Sequence, residues 1–187
     1  MEYYRLLDNL NQPEKRWFLG SINFDNEWDF WKYVKAGNVE IPQKKLLINI
    51  REKGEPLDFS MADFELLIVN QRTADLFNPE EVILIPINIK GYDSKSKYFL
   101  MCIKYEVDCV DEEKSTFDKW MENDSIRPDK AGQYKMFYKL IINRNLIHNK
   151  DIFRIKGYNS IIIISESLMN KIKRENITGI KYQKVTN

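Results

Sequence analysis

An α+β fold, with a mixed or mostly antiparallel sheet and a few short helices in a single domain, is what this sequence predicts. Three observations carry the prediction. Short apolar segments rich in Ile, Val, Phe and Tyr outnumber helical patterns along the chain. Their order is not a regular strand–helix alternation, which argues against a doubly wound parallel sheet. Ten Phe, ten Tyr and four Trp within 187 residues supply a large core, and a chain of this length buries roughly 70% of its unfolded surface without a staple.

Residues 3–7 and 17–22 read as the first strands. In "NFDNEWDFWKYVK" (23–35), Trp28 and Trp31 lie one helical turn apart, which puts them on a core-facing stripe. The competing reading is a binding surface, because Trp and Tyr are over-represented at hot spots and Asp25, Glu27 and Asp29 are interleaved here. Residues 46–50 form a strand, and Gly54 and Pro56 mark the loop after it. "ELLIVN" is a short buried strand, after which Asn70 caps a helix over 71–77 that Pro79 closes from beyond. In "EEVILIPINIK", Ile83, Ile85, Ile87 and Ile89 share one face. Pro86 lacks an N–H, so this strand is expected at an edge or with a bulge. "GYDSKS" then supplies a hairpin connection.

The segment "KYFLMCIKYEVDCVDEEKS" (97–115) reads as a continuous strand through Cys109. Phe99, Met101, Ile103, Tyr105, Val107 and Cys109 make one apolar face. Opposite them Tyr98, Leu100 and Cys102 give way to Lys104, Glu106 and Asp108, so the strand is buried on both faces only where it begins. Glu106 and Asp108 would emerge about 7 Å apart. Cys102 and Cys109, about 23 Å apart on such a strand, cannot be bridged and are expected as free thiols in a reducing cytoplasm. A helix is expected next, capped by Asp111 or Ser115, with Glu112 and Glu113 at its positive end and Phe117, Trp120 and Met121 facing the core.

The last third opens with turns in "NDSIRPDKAGQ" and continues with strands in "YKMFYKLIIN" and "IFRIKG". "SIIIIS" is a buried strand that leads to Ser165 as a helix cap. Leu168, Met169 and Ile172 face the core from that helix, Asn176 ends it, and "GIKYQKV" is the final strand. No internal repeat is visible.

Net charge is +1, but residues 1–126 carry −8 and residues 127–187 carry +9. Either the two parts interleave or the molecule is polar, with an acidic and a basic side. A nucleic-acid binder is more often basic throughout, so no direct nucleic-acid binding is expected. The start has no basic-then-apolar leader, and no apolar run approaches the ~20 residues that span a bilayer. A cytoplasmic protein that makes no use of a membrane is the expectation.

Catalytic chemistry finds little footing. His148, in the polar stretch "NLIHNKD", is the only histidine, and Ser–His–Asp or Cys–His catalysis needs a placed histidine base. Two cysteines and one histidine do not make a zinc site. No phosphate-cradling glycine loop or dinucleotide fingerprint is present, so no cofactor, no metal and no catalytic residue is assigned. The one enzymatic alternative is a carboxylate-dependent, metal-assisted hydrolase, with Glu106, Asp108 and Asp111 holding a divalent cation or forming an acid/base pair. Against it stands a plain acidic rim on which a partner docks. "AGQYKMFYKL" interleaves basic and aromatic residues as an RNA-stacking strand does, and equally as an aromatic strand with exposed lysines.

Taken in order, "GEPLDFS" (54–60), "VILIPINI" (82–89), the 97–115 segment, "GQYKMFYKLIIN" (132–143), "IFRIKG" (152–157), "IIIISESL" (161–168) and "ITGIKY" (177–182) resemble the immunity-protein family of bacterial polymorphic toxin systems. That family is typified by a Myxococcus protein and was formerly catalogued as a domain of unknown function. The resemblance runs from about residue 40 to 185, and residues 1–40 match more loosely. Cys102 departs from the family pattern, where a polar residue is more usual. The resemblance implies a cytoplasmic protein, encoded beside a toxin, that neutralises the toxin by binding it. It carries no catalytic motif. On this reading the partner-facing residues are Glu106, Asp108, Glu112 and Glu113, with Glu27 and Asp29. A non-catalytic adaptor domain of a secretion system is the other alternative.

Overall fold

The structure is a computed structural model that describes residues 1–11, 14–93 and 95–186, without the side chain of Glu27. Strand β1 (Tyr3–Asp8) opens the chain. Strands β2 (Phe18–Ile22), β3 (Leu46–Glu52), β4 (Phe59–Met61), β5 (Leu67–Asn70), β6 (Val82–Ile89) and β7 (Tyr98–Ile103) then build a six-stranded sheet in the order β2-β3-β6-β7-β5-β4. The chain next crosses to a second sheet through β8 (Glu106–Val107). Strands β9 (Thr116–Lys119) and β10 (Tyr134–Lys139) form a separate ribbon. Finally β11 (Ile152–Ile155), β12 (Tyr158–Ser165) and β13 (Ile180–Lys184) complete a five-stranded sheet in the order β13-β1-β12-β11-β8. Pairing is antiparallel except for β3 with β6 and β8 with β11. Helices α1 (Phe30–Val34), α2 (Gln71–Ala74) and α3 (Glu166–Arg174) are short, and the fold is α+β.

Three apolar layers hold these parts together. Leu67, Val69, Met101 and Ile103 from the first sheet meet Leu6, Ile152, Ile162 and Ile164 from the second, with Leu168, Met169 and Ile172 of α3 in the same cluster. The other face of the first sheet, with Ile68, Ile85, Ile87, Leu100 and Cys102, is covered by Trp17, Phe30, Tyr33 and Val34. The other face of the second sheet, with Tyr3, Phe153, Ile155, Ile161 and Ile163, is covered by Leu140, Ile142 and Ile147, against which Phe137 of β10 packs. β12 therefore buries alternate isoleucines on opposite sides, as its uninterrupted apolar run requires. Truncating any of these buried isoleucines to Ala should cost about 2–5 kcal/mol.

Most of the expected elements are present, with four corrections. The 97–115 strand stops at Ile103, because the next residue on the Leu100–Cys102 face is Lys104 and that face is dry. Instead the Lys104 amide donates to the Glu81 carbonyl (2.9 Å) and its ammonium to the Pro79 carbonyl (3.0 Å). The chain resumes two residues later in the other sheet, paired with β11. Second, residues 116–119 are strand rather than helix. Asp111 closes a turn, its carbonyl accepting the amides of Lys114 and Ser115. The Ser115 hydroxyl then bridges the amide and carbonyl of Ile141 at 3.0 Å each, which fixes an extended path. Third, β6 is not an edge strand and has no bulge, yet β3 pairs only with its last part, from Ile87 to Ile89. The Lys90 amide points to β3, so the missing N–H of Pro86 falls on the same side, beyond the end of the ladder. Fourth, a short strand, β4, begins at the end of "GEPLDFS" and runs to Met61, and α2 ends at Ala74 rather than at residue 77.

Two side chains fasten remote segments. The Asp58 carboxylate accepts from the Thr178 amide (2.9 Å) and hydroxyl (2.8 Å), the Asn70 side chain (2.7 Å) and Arg72 (3.0 Å). It thereby ties the approach to β4 to the start of α2 and to the α3–β13 turn. In that turn Gly179 has φ +93°, and a Cβ there would lie 2.0 Å from the Phe59 carbonyl, so no other residue fits. The Glu81 carboxylate accepts the amides of Asp151 (3.1 Å) and Ile152 (3.2 Å), at the start of β11.

Burial pushes the Asp58 carboxyl up, but the Thr178 and Asn70 hydrogen bonds and the Arg72 charge outweigh it and hold the group below the usual carboxylate range. That contribution is present above the ordinary carboxylate pKa and is lost as pH falls through the lower folded value. Asp58→Asn should cost about 1.5–3 kcal/mol at pH 7, and the gap to wild type should narrow below about pH 4; urea melts of both proteins at pH 7 and pH 3 measure it, and an equal gap at both contradicts the assignment. Arg154 is 1% exposed. It donates through Nη1 to the Asn159 carbonyl, while Nε and Nη2 have no hydrogen-bond partner among the described residues. Burial draws its pKa down to about 10. A charge so poorly compensated costs stability, so Arg154→Met should leave the melting temperature unchanged or raise it; a fall of several degrees would show that the guanidinium is stabilising.

Candidate interaction surface

The groups singled out from the sequence do not form a reaction centre. Cys102 and Cys109 are free and buried, and burial pushes both thiols up to about 12. Neither therefore supplies a thiolate nucleophile near neutral pH. His148 is an exposed loop residue. The three carboxylates considered for a cation do not converge. Asp111 turns to Lys114, whose ammonium lies 2.8 Å away and, with its amide, holds the carboxyl low. Asp108 pairs with Lys156 at 3.7 Å, and Glu106 is exposed on β8. Among the described residues no group of three or more His, Cys, Asp or Glu side chains is arranged to hold a metal ion.

Lysines pair with several of the acids expected to form a rim. Glu112 holds Lys119 at 2.7 Å and accepts the Tyr134 hydroxyl at 2.6 Å. These bonds, Lys119 first, lower its carboxyl, and burial together with Glu112 raises the Tyr134 phenol. Glu106 and Glu113 are exposed and have no cation within 4 Å among the described residues. Asp29 is bound to Lys32 at 2.8 Å, which holds it low. The Glu27 side chain lies outside the described residues. Charge counted along the sequence overstates this patch, because Lys114, Lys119 and Lys156 fold back onto it.

Aromatic side chains, by contrast, are more exposed than the helical spacing suggests. Trp28 and Trp31 are not on the core-facing stripe: Phe30, Tyr33 and Val34 take that face, leaving Trp28 65% and Trp31 47% exposed. The reason is that Trp28 precedes α1 in a separate 3-10 turn, which rotates it away. On the ribbon and its connecting loop Met121, Ile126, Met136 and Tyr138 are also exposed. Reading 116–121 as a helix hid these residues, because Phe117 and Trp120 are three positions apart, a helical spacing. Trp and Tyr are over-represented at binding hot spots.

No helix is long and apolar enough to cross a membrane among the described residues. A search of curated proteins finds no match. The profile of the immunity protein family (Imm11) matches residues 14–187, which is nearly the whole chain and includes the first 40 residues from position 14 onward. With that extent of match and an α+β fold, the chain belongs to the Imm11 immunity protein family.

Proposed function

We propose that this protein neutralises a cognate toxin, encoded by an adjacent gene, by binding it in the cytoplasm and covering or locking its active site. The observation that carries the reading is the family match over 174 of 187 residues, and the exposed Trp28, Trp31, Met136 and Tyr138 are features that fit it. An immunity protein needs a complementary exterior and no chemistry of its own; about 800 Å² per partner, centred on a few aromatic or arginine anchors, is enough.

The contact surface we propose contains the acidic rim, Glu106, Asp108, Glu112 and Glu113, with Asp29 and Glu27 as outlying members. Glu106 on β8 and Asp108 just after it are both exposed, so they present charge to an approaching basic surface. Their main effect is on the rate of encounter.

Co-expression with the neighbouring gene product should rescue growth and yield a stable complex; a toxin that still kills, with no complex recovered, contradicts the reading. Reversing Glu106 and Asp108 to Lys should slow association about tenfold or more at low salt, with the difference shrinking as salt screens it. Stopped-flow rates that are the same for variant and wild type at low salt would remove the rim from the interface.

A further inference from the structure

Beside the rim lies a cleft of about 660 Å³ between α1, the ribbon and the β11–β12 turn. Trp31, Trp120, Tyr134 and Tyr158 line it, and so do Lys35, Arg127, Lys130 and Lys135. Among the described residues Asp129 is the one carboxylate in its walls, and it is held by Arg127 through two hydrogen bonds of 2.9 and 2.8 Å. Lys35, Lys130 and Lys135 have no carboxylate within 4 Å among the described residues, whereas Asp108 and Glu112 of the rim each have a cation. Asp124, which feels the Lys135 charge, accepts the amides of Ile126 and Arg127 through Oδ1.

Trp120 determines how these charges are presented. The ammonium of Lys135 sits 4.7 Å and that of Lys130 5.9 Å from its ring. The ring is therefore covered by cations and is poorly placed to stack a nucleobase; it orders two point charges at the cleft wall instead. Tyr134 lines the cleft and donates its hydroxyl to Glu112. One tyrosine thus joins the cleft to an acid of the rim, and charges placed side by side in this way help to fix a partner's register. A larger concavity, about 920 Å³, lies at the β6–β7 turn.

We propose that this cleft receives an acidic, aromatic-bearing segment of the toxin, with carboxylates on Lys130, Lys135 and Lys35 and an apolar side chain against Trp31. The inference rests on the proposed function for the identity of the partner, but the chemistry of the cleft can be tested without the toxin.

Two arms separate the two ideas. In the first, hexaglutamate is titrated into ¹⁵N-labelled protein. The indole signals of Trp31 and Trp120 and the amides of residues 130–135 should shift, and the shifts should vanish in the Lys130→Glu/Lys135→Glu variant. Shifts elsewhere, no shifts, or the same signals moving with oligouridylate and not with hexaglutamate would overturn the proposal. In the second arm the neighbouring gene product is the probe. The double variant and, independently, Trp31→Ala should bind it at least about tenfold more weakly, with melting temperatures showing that both remain folded. Affinity within threefold of wild type for both variants overturns the cleft while leaving neutralisation standing. Wild-type protein that binds hexaglutamate in the cleft but not the gene product overturns the toxin as partner.

Discussion

Glu81 holds the two sheets in register. Its carbonyl takes the Lys104 amide where the chain leaves β7, and its carboxylate takes two amides where β11 begins. Burial raises this carboxyl above the usual range, so the arrangement carries a desolvation cost, offset by the amides it satisfies. It sits at the place where the chain must change sheets. Up to Ile103 both faces of β7 are dry, and the next residues on the Leu100–Cys102 face are Lys104 and Glu106. The charged residues force the crossing, and Glu81 fixes where it lands. The apolar layer of Met101, Ile103, Ile152, Ile162 and Ile164 forms on that frame.

The crossing also sorts the charges. All strands of the six-stranded sheet come from residues 18–103, and the second sheet and the ribbon take β1 with the rest of the chain. The basic last third is therefore neither a separate unit nor fully mixed with the acidic part. It builds most of the layer that carries the ribbon, and the rim and cleft adjoin there. Glu106, Asp108 and Glu112 leave the core at the edge of this layer, and Lys130 and Lys135 enter the cleft from the ribbon's far end.

Much of the fold was legible because burial imposes a period. The alternating isoleucines of β6, the unbroken "SIIIIS" of β12 and the Ser165-capped α3 each admit one reading, and each occurs as read. Where polar groups decide the path, the sequence misled. Phe117, Trp120 and Met121 satisfy a helical spacing as well as a strand, and the choice was made by a remote contact, Ser115 with Ile141. Trp28 and Trp31 share a helical spacing but not a helix. The rim acids were visible as acids; Lys119, which pairs with Glu112, lies close by in sequence, but only the fold brings Lys156 to Asp108. The cleft was illegible for the same reason, since α1 and the ribbon lie about 90 residues apart in sequence.

The account holds that this protein acts with its exterior, and with one region of it: the ribbon, the adjoining rim and the exposed face of α1. Hydrogen exchange of the purified complex with the neighbouring gene product tests that most directly. Slowed exchange concentrated in residues 30–36, 106–121 and 127–139, with the β2–β3 and β4 edges of the first sheet unchanged, is the predicted outcome. Protection confined to those edges, with the ribbon exchanging as in the free protein, would contradict it.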